Sequence, residues 1–231
     1  MLKLWSELPT FMQVSEVKLY YEVLQKHKIE LIIKRIFDVI LAVILLILLA
    51  IPMLLIAIMI KVDSPGTVFY RQERITTYGK KFRIHKFRTM VYNADQIGTS
   101  VTISNDKRIT KVGEKLRKLR LDELPQIIDI LEGNMSFVGT RPEAVKYVKQ
   151  YKPEYFATLL LPAGITSETS IRYKDEYKFL SAADNVDQVY LKHVLPVKME
   201  RNLESLRTFS FFKEILTMIR TILAVMGKEY S

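Results

Sequence analysis

The stretch Val39-Ile40-Leu41-Ala42-Val43-Ile44-Leu45-Leu46-Ile47-Leu48-Leu49-Ala50-Ile51-Pro52-Met53-Leu54-Leu55-Ile56-Ala57-Ile58-Met59-Ile60 is 22 consecutive uncharged residues. At about 1.5 Å of rise per residue, a helix of that length crosses a hydrocarbon layer of roughly 30 Å. The run therefore places the chain in a membrane. Length alone fits a straight span, but the flanks fit another form. Lys34 and Arg35 precede the run, and Lys61, Arg71 and Arg74 follow it. Basic residues collect on the cytoplasmic side, and with both ends there the run must turn back. Pro52 removes a backbone donor and crowds the carbonyl of Leu48, which favours a bend. Proline kinks also occur in ordinary spans, so these features leave both forms open. The run starts late and no small-residue cleavage site follows it, which argues against a cleaved signal peptide.

Outward from the run, charge is unevenly distributed. The chain of 231 residues carries a net charge of +10. Residues 61 to 121 hold fifteen Lys/Arg against five Asp/Glu, and the remaining segments cancel. The basic character thus belongs to one stretch directly after the apolar run, suited to anionic head groups or a phosphorylated substrate. A solvated basic face without a ligand has the same composition. Absence of cysteine excludes disulfides and thiolate chemistry, and only His27, His85 and His193 offer imidazole. A buried zinc site is not expected. Oxygen-ligated magnesium stays open, since it needs one or two carboxylates plus substrate phosphates.

Residues 1 to 33 read as an amphipathic helical extension, with Leu19, Val23 and Leu24 spaced for one face and Lys18, Glu22 and Lys26 for another. Residues 34 to 61 form the membrane segment and 62 to 231 the remaining domain. Asp63-Ser64-Pro65-Gly66 is a turn, and Thr67 to Tyr70 and Lys81 to Phe87 alternate like two short strands around Tyr78-Gly79-Lys80. Gly113 to Leu121 reads as a basic helix, and Leu124 to Leu131 as an apolar one closed by Gly133. The rest is mostly helical, with proline breaks at Pro153, Pro162 and Pro196. Phe209 to Met226 is amphipathic, too polar to span, and suited to lying on the interface or packing in a core.

Adjacent Asp122 and Glu123 stand between the two helix candidates, with Pro125 just beyond. Read in isolation, helix capping explains them well: acids complement a helix start and proline is tolerated in its first turn. Their surroundings point elsewhere. Arg117, Lys118 and Arg120 precede the pair and Arg141 follows in Gly139-Thr140-Arg141-Pro142. A carboxylate attacking a phosphate is repelled unless cations neutralise the developing charge, and arginine grips phosphate in a bidentate fashion.

Four strings, in order and spacing, resemble the bacterial sugar transferase family of monotopic phosphoglycosyl transferases, in its minimal form. They are Lys34-Arg35-Ile36-Phe37-Asp38, Phe82-Arg83-Ile84-His85-Lys86-Phe87-Arg88-Thr89-Met90, Leu121-Asp122-Glu123-Leu124-Pro125-Gln126 and Met135-Ser136-Phe137-Val138-Gly139-Thr140-Arg141-Pro142. The resemblance covers residues 34 to 225. It implies an α-rich α+β membrane-associated domain with a re-entrant helix broken at Pro52, a small β-hairpin and interfacial amphipathic helices. It implies an enzyme at the cytoplasmic face of the bacterial inner membrane, moving a sugar 1-phosphate from a UDP-sugar to polyprenol phosphate and releasing UMP. Asp122 would attack the sugar-bearing phosphate and form a covalent intermediate, assisted by Glu123, with magnesium (Mg2+) bound at Asp122. Lys86, Arg88, Arg117 and Arg141 match basic positions associated with the phosphates or nucleotide. The expected partners are both substrates and membrane lipids, with no nucleic acid.

The chain departs from the family pattern in places. Ile51 stands where serine often precedes the proline, Thr140 where proline is common, and Gly164-Ile165-Thr166-Ser167-Glu168 where Gly-Ile-Thr-Gly-Trp is common. Glu214 stands where an aspartate is usual. The competing reading is a non-catalytic, membrane-anchored basic module for anionic lipid or nucleic acid, with Phe69, Tyr70, Phe82 and Phe87 interleaved for stacking. Such a module would bind with steep salt dependence and show no turnover.

Overall fold

The computed structural model describes residues 2–94, 106–172 and 186–225. Helix α1 (Ser15–Lys26) leads into α2 (Lys28–Asp63), a single helix of 36 residues. Strands β1 (Phe69–Ile75) and β2 (Lys81–Phe87) follow, then α3 (Lys111–Lys118) and α4 (Gln126–Leu131). Next come β3 (Met135–Val138), α5 (Val145–Val148), a 3-10 helix at Pro153–Leu159, β4 (Ala163–Thr166) and α6 (Glu168–Arg172). Helix α7 (Val186–Val189) runs through a π turn at Tyr190–Val194 into α8 (Leu195–Arg207), and α9 (Phe211–Val225) closes the described chain. Met226, at the end of the expected amphipathic segment, lies outside the described residues.

Helix α2 is apolar almost throughout, yet only one of its faces packs. Asp38, Ala42, Leu45, Leu49, Met53, Ile56 and Ile60 recur at spacings of three and four and meet the protein. The opposite face stays open, with Ile47 and Ile51 each 71% exposed. The helical assignment runs through Pro52, which lies on the exposed side. Helix α9 repeats this division at smaller scale: Thr217 is buried while Phe212, Ile219 and Ile222 are exposed. It runs beside the start of α2, where Phe37 and Phe211 meet edge to face at 5.6 Å. A candidate membrane helix and small strands within a helix-rich chain agree with the expected class.

Two features of the helices depart from the sequence reading. The helix starts at Lys28, inside the expected extension, and α1 packs through Val17, Tyr20, Tyr21 and Leu24, while Leu19 is exposed. The two tyrosines supply an i, i+3, i+4, i+7 stripe with Val17 and Leu24, and this carries more apolar area than the stripe read from the aliphatics alone. This face joins the largest core, with Tyr147, Tyr155, Leu160, Met199 and Leu203. Pro196, expected to break a helix, instead lies in the first turn of α8, where its missing donor is tolerated after the π turn.

The hairpin forms, antiparallel with Tyr70 opposite Lys86 and Arg74 opposite Phe82, but its first strand covers Phe69–Ile75 and not the expected Thr67 to Tyr70. A second sheet was not foreseen. Strands β3 and β4 pair in parallel, Ser136 opposite Gly164. Just past that pairing the chains touch: a Cβ on Gly164 would stand 2.2 Å from the Gly139 nitrogen, so only glycine fits. Gly139 N–H donates to the Thr166 carbonyl at 3.0 Å and Gly164 N–H to the Thr140 carbonyl at 2.9 Å. These bonds hold the segment that leads into Arg141.

Candidate active site

The polar residues of the first family string fasten α2 to the body. The Lys34 ammonium pairs with Glu214 at 2.6 Å and donates to the Val138 carbonyl at 3.0 Å. Asp38 accepts from the Ser136 hydroxyl at 2.7 Å and from the Phe137 N–H at 3.4 Å. Arg35 donates to the Ile130 carbonyl at 2.8 Å, at the C-terminus of α4. Glu214, of unread role in the sequence, is thus the partner on α9 for a buried lysine. Burial raises its carboxyl and Lys34 opposes that. At the far end of α2, Asp63 accepts from the Val112 N–H at 3.0 Å, at the start of α3. The two ends of α2 therefore hold the two ends of the α3–turn–α4 segment.

The middle of that segment is the Asp-Glu pair. Thr110 caps α3 by accepting from the Gly113 N–H at 3.0 Å. Arg120 then turns the chain in the left-handed region, φ 57°, into a 3-10 turn over Leu121–Glu123. Neither acid acts as a helix cap: no side-chain cap bond is present at the turn or at α4, where Pro125 takes the cap position. Capping does not explain the pair.

Glu123 and Asp122 have opposite environments. Glu123 accepts from the Lys86 ammonium at 2.9 Å and from both terminal nitrogens of Arg141, the Nη1 contact being 3.2 Å. Burial alone would raise its carboxyl, but Arg141 and Lys86 outweigh burial and hold it well below the usual range. Asp122 makes neither contact among the described residues. Burial first, then the charge of Glu123, push its carboxyl up, while Lys86, Arg117 and Arg120 oppose them. Burial lowers Arg117 and the charge of Asp122 raises it. One carboxylate is spent on fixed cations and its neighbour is left for another partner.

The structure thus brings together Lys86, Arg117, Asp122, Glu123 and Arg141. It does not bring Arg88. That side chain is 5% exposed and faces the end of α2, donating to the carbonyls of Ser64 and Pro65 at 2.7 Å each and to the Ser64 hydroxyl at 2.9 Å. A helix C-terminus leaves carbonyls unpaired and carries partial negative charge, which a guanidinium satisfies. The structure places Arg88, expected at a phosphate, against the end of α2 instead.

An unpaired carboxylate fits magnesium, which takes one or two protein carboxylates alongside substrate phosphates. Asp122 offers such oxygens, whereas those of Glu123 are occupied by cations. A second group, His85, Asp129 and Glu132, has ligand atoms within 4.8 Å of one another. Its bonds account for it differently. The His85 ring donates from Nδ1 to Asp129 at 2.8 Å and accepts at Nε2 from Arg71 at 2.5 Å, a network that assigns the neutral tautomer. A guanidinium at Nε2 opposes a metal there.

A cavity of about 440 Å³ opens beside Gly139 and Thr140, walled by α6, α8 and α9. Two of the departures from the family pattern, Ser167 and Glu168, line it. Glu168 accepts from Arg220 at 2.9 Å and Thr217 at 2.8 Å, so that departure ties α6 to α9. Sequence reading also missed Arg74 and the buried group of Glu143, Tyr190 and Lys198. The signal available was the position of Glu143, two residues past Arg141.

Comparison with known proteins gives a consistent result. A transferase of Aeromonas hydrophila named UDP-N-acetylgalactosamine-undecaprenyl-phosphate N-acetylgalactosaminephosphotransferase is 33% identical over 197 residues, covering 84% of this chain and 44% of that protein. A UDP-glucose:undecaprenyl-phosphate glucose-1-phosphate transferase of Caulobacter vibrioides is 31% identical over 199 residues, covering 85% and 70%. An Escherichia coli protein of the same name is 44% identical over 122 residues, covering 52% and 26%. The chain thus spans less than half of the first and last of these relatives. The family model described as Bacterial sugar transferase matches residues 29–228. This chain belongs to the bacterial sugar transferase family.

Proposed function

We propose that the chain is a phosphoglycosyl transferase that moves a sugar 1-phosphate from a UDP-sugar to polyprenol phosphate through a covalent intermediate on Asp122. The observation that carries this reading is the divergence of the acid pair. Glu123 is locked between Lys86 and Arg141, while Asp122, set among cations, is held by neither. In the first step an Asp122 oxygen bonds to the phosphorus bearing the sugar, the bond from that phosphorus to the bridging oxygen breaks, and UMP leaves with the electron pair. In the second step an oxygen of polyprenol phosphate bonds to the same phosphorus and the Asp122 carboxylate departs. Lys86, Arg117 and Arg141 offset the negative charge drawn together in each step. Glu123 keeps Lys86 and Arg141 in place. Magnesium held by Asp122 and the substrate phosphates would supply further charge neutralisation. A covalent step lets a soluble donor and a membrane-borne acceptor use one site in turn.

The same reading puts the chain on the cytoplasmic face of the inner membrane with α2 as a re-entrant helix bent at Pro52. Its support is that both halves of α2 pack on one body, the first through Ala42 and the second through Ile56 and Ile60. A straight helix would set Arg35 and Asp63 about 42 Å apart at about 1.5 Å per residue. The partners of these two residues are Ile130 and Val112, on helices of only 6 and 8 residues, so a bend is the economical way to make both contacts. The open apolar faces of α2 and α9 then meet lipid.

The test is UMP release from a panel of UDP-sugars, with polyprenol phosphate and magnesium, followed by mass spectrometry of enzyme quenched without acceptor. UMP release and a phosphosugar adduct on Asp122 are expected. An adduct on Glu123, or sequential kinetics with no adduct, would overturn the assignment.

A further inference from the structure

The alternation of β1 puts Tyr70, Gln72 and Arg74 on one face of the hairpin, and the register sets Tyr70 opposite Lys86. The face that sends Lys86 to Glu123 therefore also carries Arg74. The segment bearing Arg141 is fixed to the end of this strand, for the Ile75 N–H donates to the Glu143 carbonyl at 3.1 Å. Arg74 is partly buried and donates to the Gln72 side-chain oxygen at 2.5 Å. The carboxylate whose charge it feels most, Glu143, is already engaged, accepting from the Tyr190 hydroxyl at 2.5 Å and facing the Lys198 ammonium at 3.4 Å. Among the described residues no carboxylate pairs with Arg74, and Arg141 shares Glu123 with Lys86.

We infer that Arg74 and Arg141 together form a second anion subsite, which takes the phosphate that leaves with the nucleotide. The inference rests on the phosphosugar transfer proposed above and names the part of the donor that this face holds. Two partly buried guanidiniums repel each other and have lost hydration, a cost that a phosphate between them removes. Position separates the two phosphates. Tyr70, four residues before Arg74 on the strand, faces Lys86, so Arg74 stands about 13 Å along the hairpin at about 3.3 Å per residue. Arg74 thus stands along the hairpin from the lysine that touches Glu123, where the second phosphate of the donor, one removed from the bond being made, would lie.

The experiment compares wild type with Arg74→Ala, Arg74→Lys and Arg74→Gln, measuring UMP binding by calorimetry, steady-state KM for both substrates, and Tm. Arg74→Ala is expected to weaken UMP binding and raise the donor KM about tenfold or more, with acceptor KM and Tm unchanged and partial recovery in Arg74→Lys. Arg74→Gln keeps a hydrogen-bonding group beside Gln72, so equal loss in Ala and Gln marks charge rather than hairpin support. Wild-type UMP affinity in any folded variant lacking the charge overturns the inference and leaves the transfer reaction standing. Arg74-dependent UMP binding without UMP release from any UDP-sugar overturns the reaction and leaves the subsite.

Discussion

At the scale of single residues, the chemistry turns on how two adjacent carboxylates come to differ. Both sit in one 3-10 turn, entered through the left-handed Arg120. Glu123 keeps its charge because two cations touch it. Asp122 is pushed toward its neutral form by burial and by Glu123. A nucleophilic Asp122 must be ionised, and without metal its raised pKa sets an acid limb to that ionisation above the roughly 3.9 of an ordinary aspartate, which bound magnesium would pull down. As pH falls, Asp122 takes up its proton before Glu123 does. Removing the negative charge in Glu123→Gln moves the limb to lower pH, and removing a positive one in Arg117→Ala moves it higher. Carbon-13 NMR titration of Asp122 in the metal-free protein checks this, and a midpoint at or below the ordinary value would refute it. Asp122→Asn should fold with unchanged Tm, because the side chain caps nothing, and lose nearly all turnover.

At the scale of elements, cations of like appearance do unlike work. Arg88 and Arg117 both belong to the basic stretch, and charge patterning gave no means of telling them apart. Both terminal nitrogens of Arg88 donate to carbonyls at the end of α2, whereas Arg117 faces Asp122. Arg88→Ala leaves those carbonyls unpaired and should cost about 2 to 4 kcal/mol of stability, with donor KM near normal in the folded fraction. Arg117→Ala should do the reverse, lowering turnover roughly ten- to a hundredfold with Tm held. Thermal melts beside steady-state kinetics on both variants decide it, and a swap of the two phenotypes would refute the placement. The long apolar helix and the hairpin were legible because a long apolar run and strict alternation each leave a local pattern, and the acid pair drew notice because it stands among arginines. Strands β3 and β4 left none, being four residues each, parallel, and far apart in sequence; β3 is buried throughout. Packing of α1 through tyrosines was missed for a related reason, since Tyr20 and Tyr21 do not read as core until a partner surface exists. The role of Asp38 needed Ser136 and Phe137 to be brought beside it.

At the scale of the whole molecule, α2 braces the site and, in the proposed reading, anchors it in the bilayer. Arg35 and Asp63 grip the two ends of the segment whose middle holds the acid pair, so the orientation of the site relative to the bilayer follows from that of the helix. Exposed apolar faces on α2 and α9 lie on elements that touch through Lys34–Glu214 and Phe37–Phe211. Two adjoining apolar surfaces on one body suit insertion from one side, and they suit a straight span poorly, since that would draw one half of α2 away from the core it packs against. Detaching Ile56 and Ile60 would uncover Phe87 and Leu116 on the body, apolar side chains worth about 1.5 to 3 kcal/mol each when exposed to water. The expected topology therefore has both ends of the helix on one side. The chain contains no cysteine, so single-cysteine variants flanking the run report without background. Ile29, 75% exposed, and Val62, 83% exposed, are the positions to use, since replacing them removes no packed contact. In intact cells a membrane-impermeant maleimide should label neither Ile29→Cys nor Val62→Cys, and after permeabilisation it should label both. Labelling of one position but not the other in intact cells would establish a straight span and overturn the re-entrant reading.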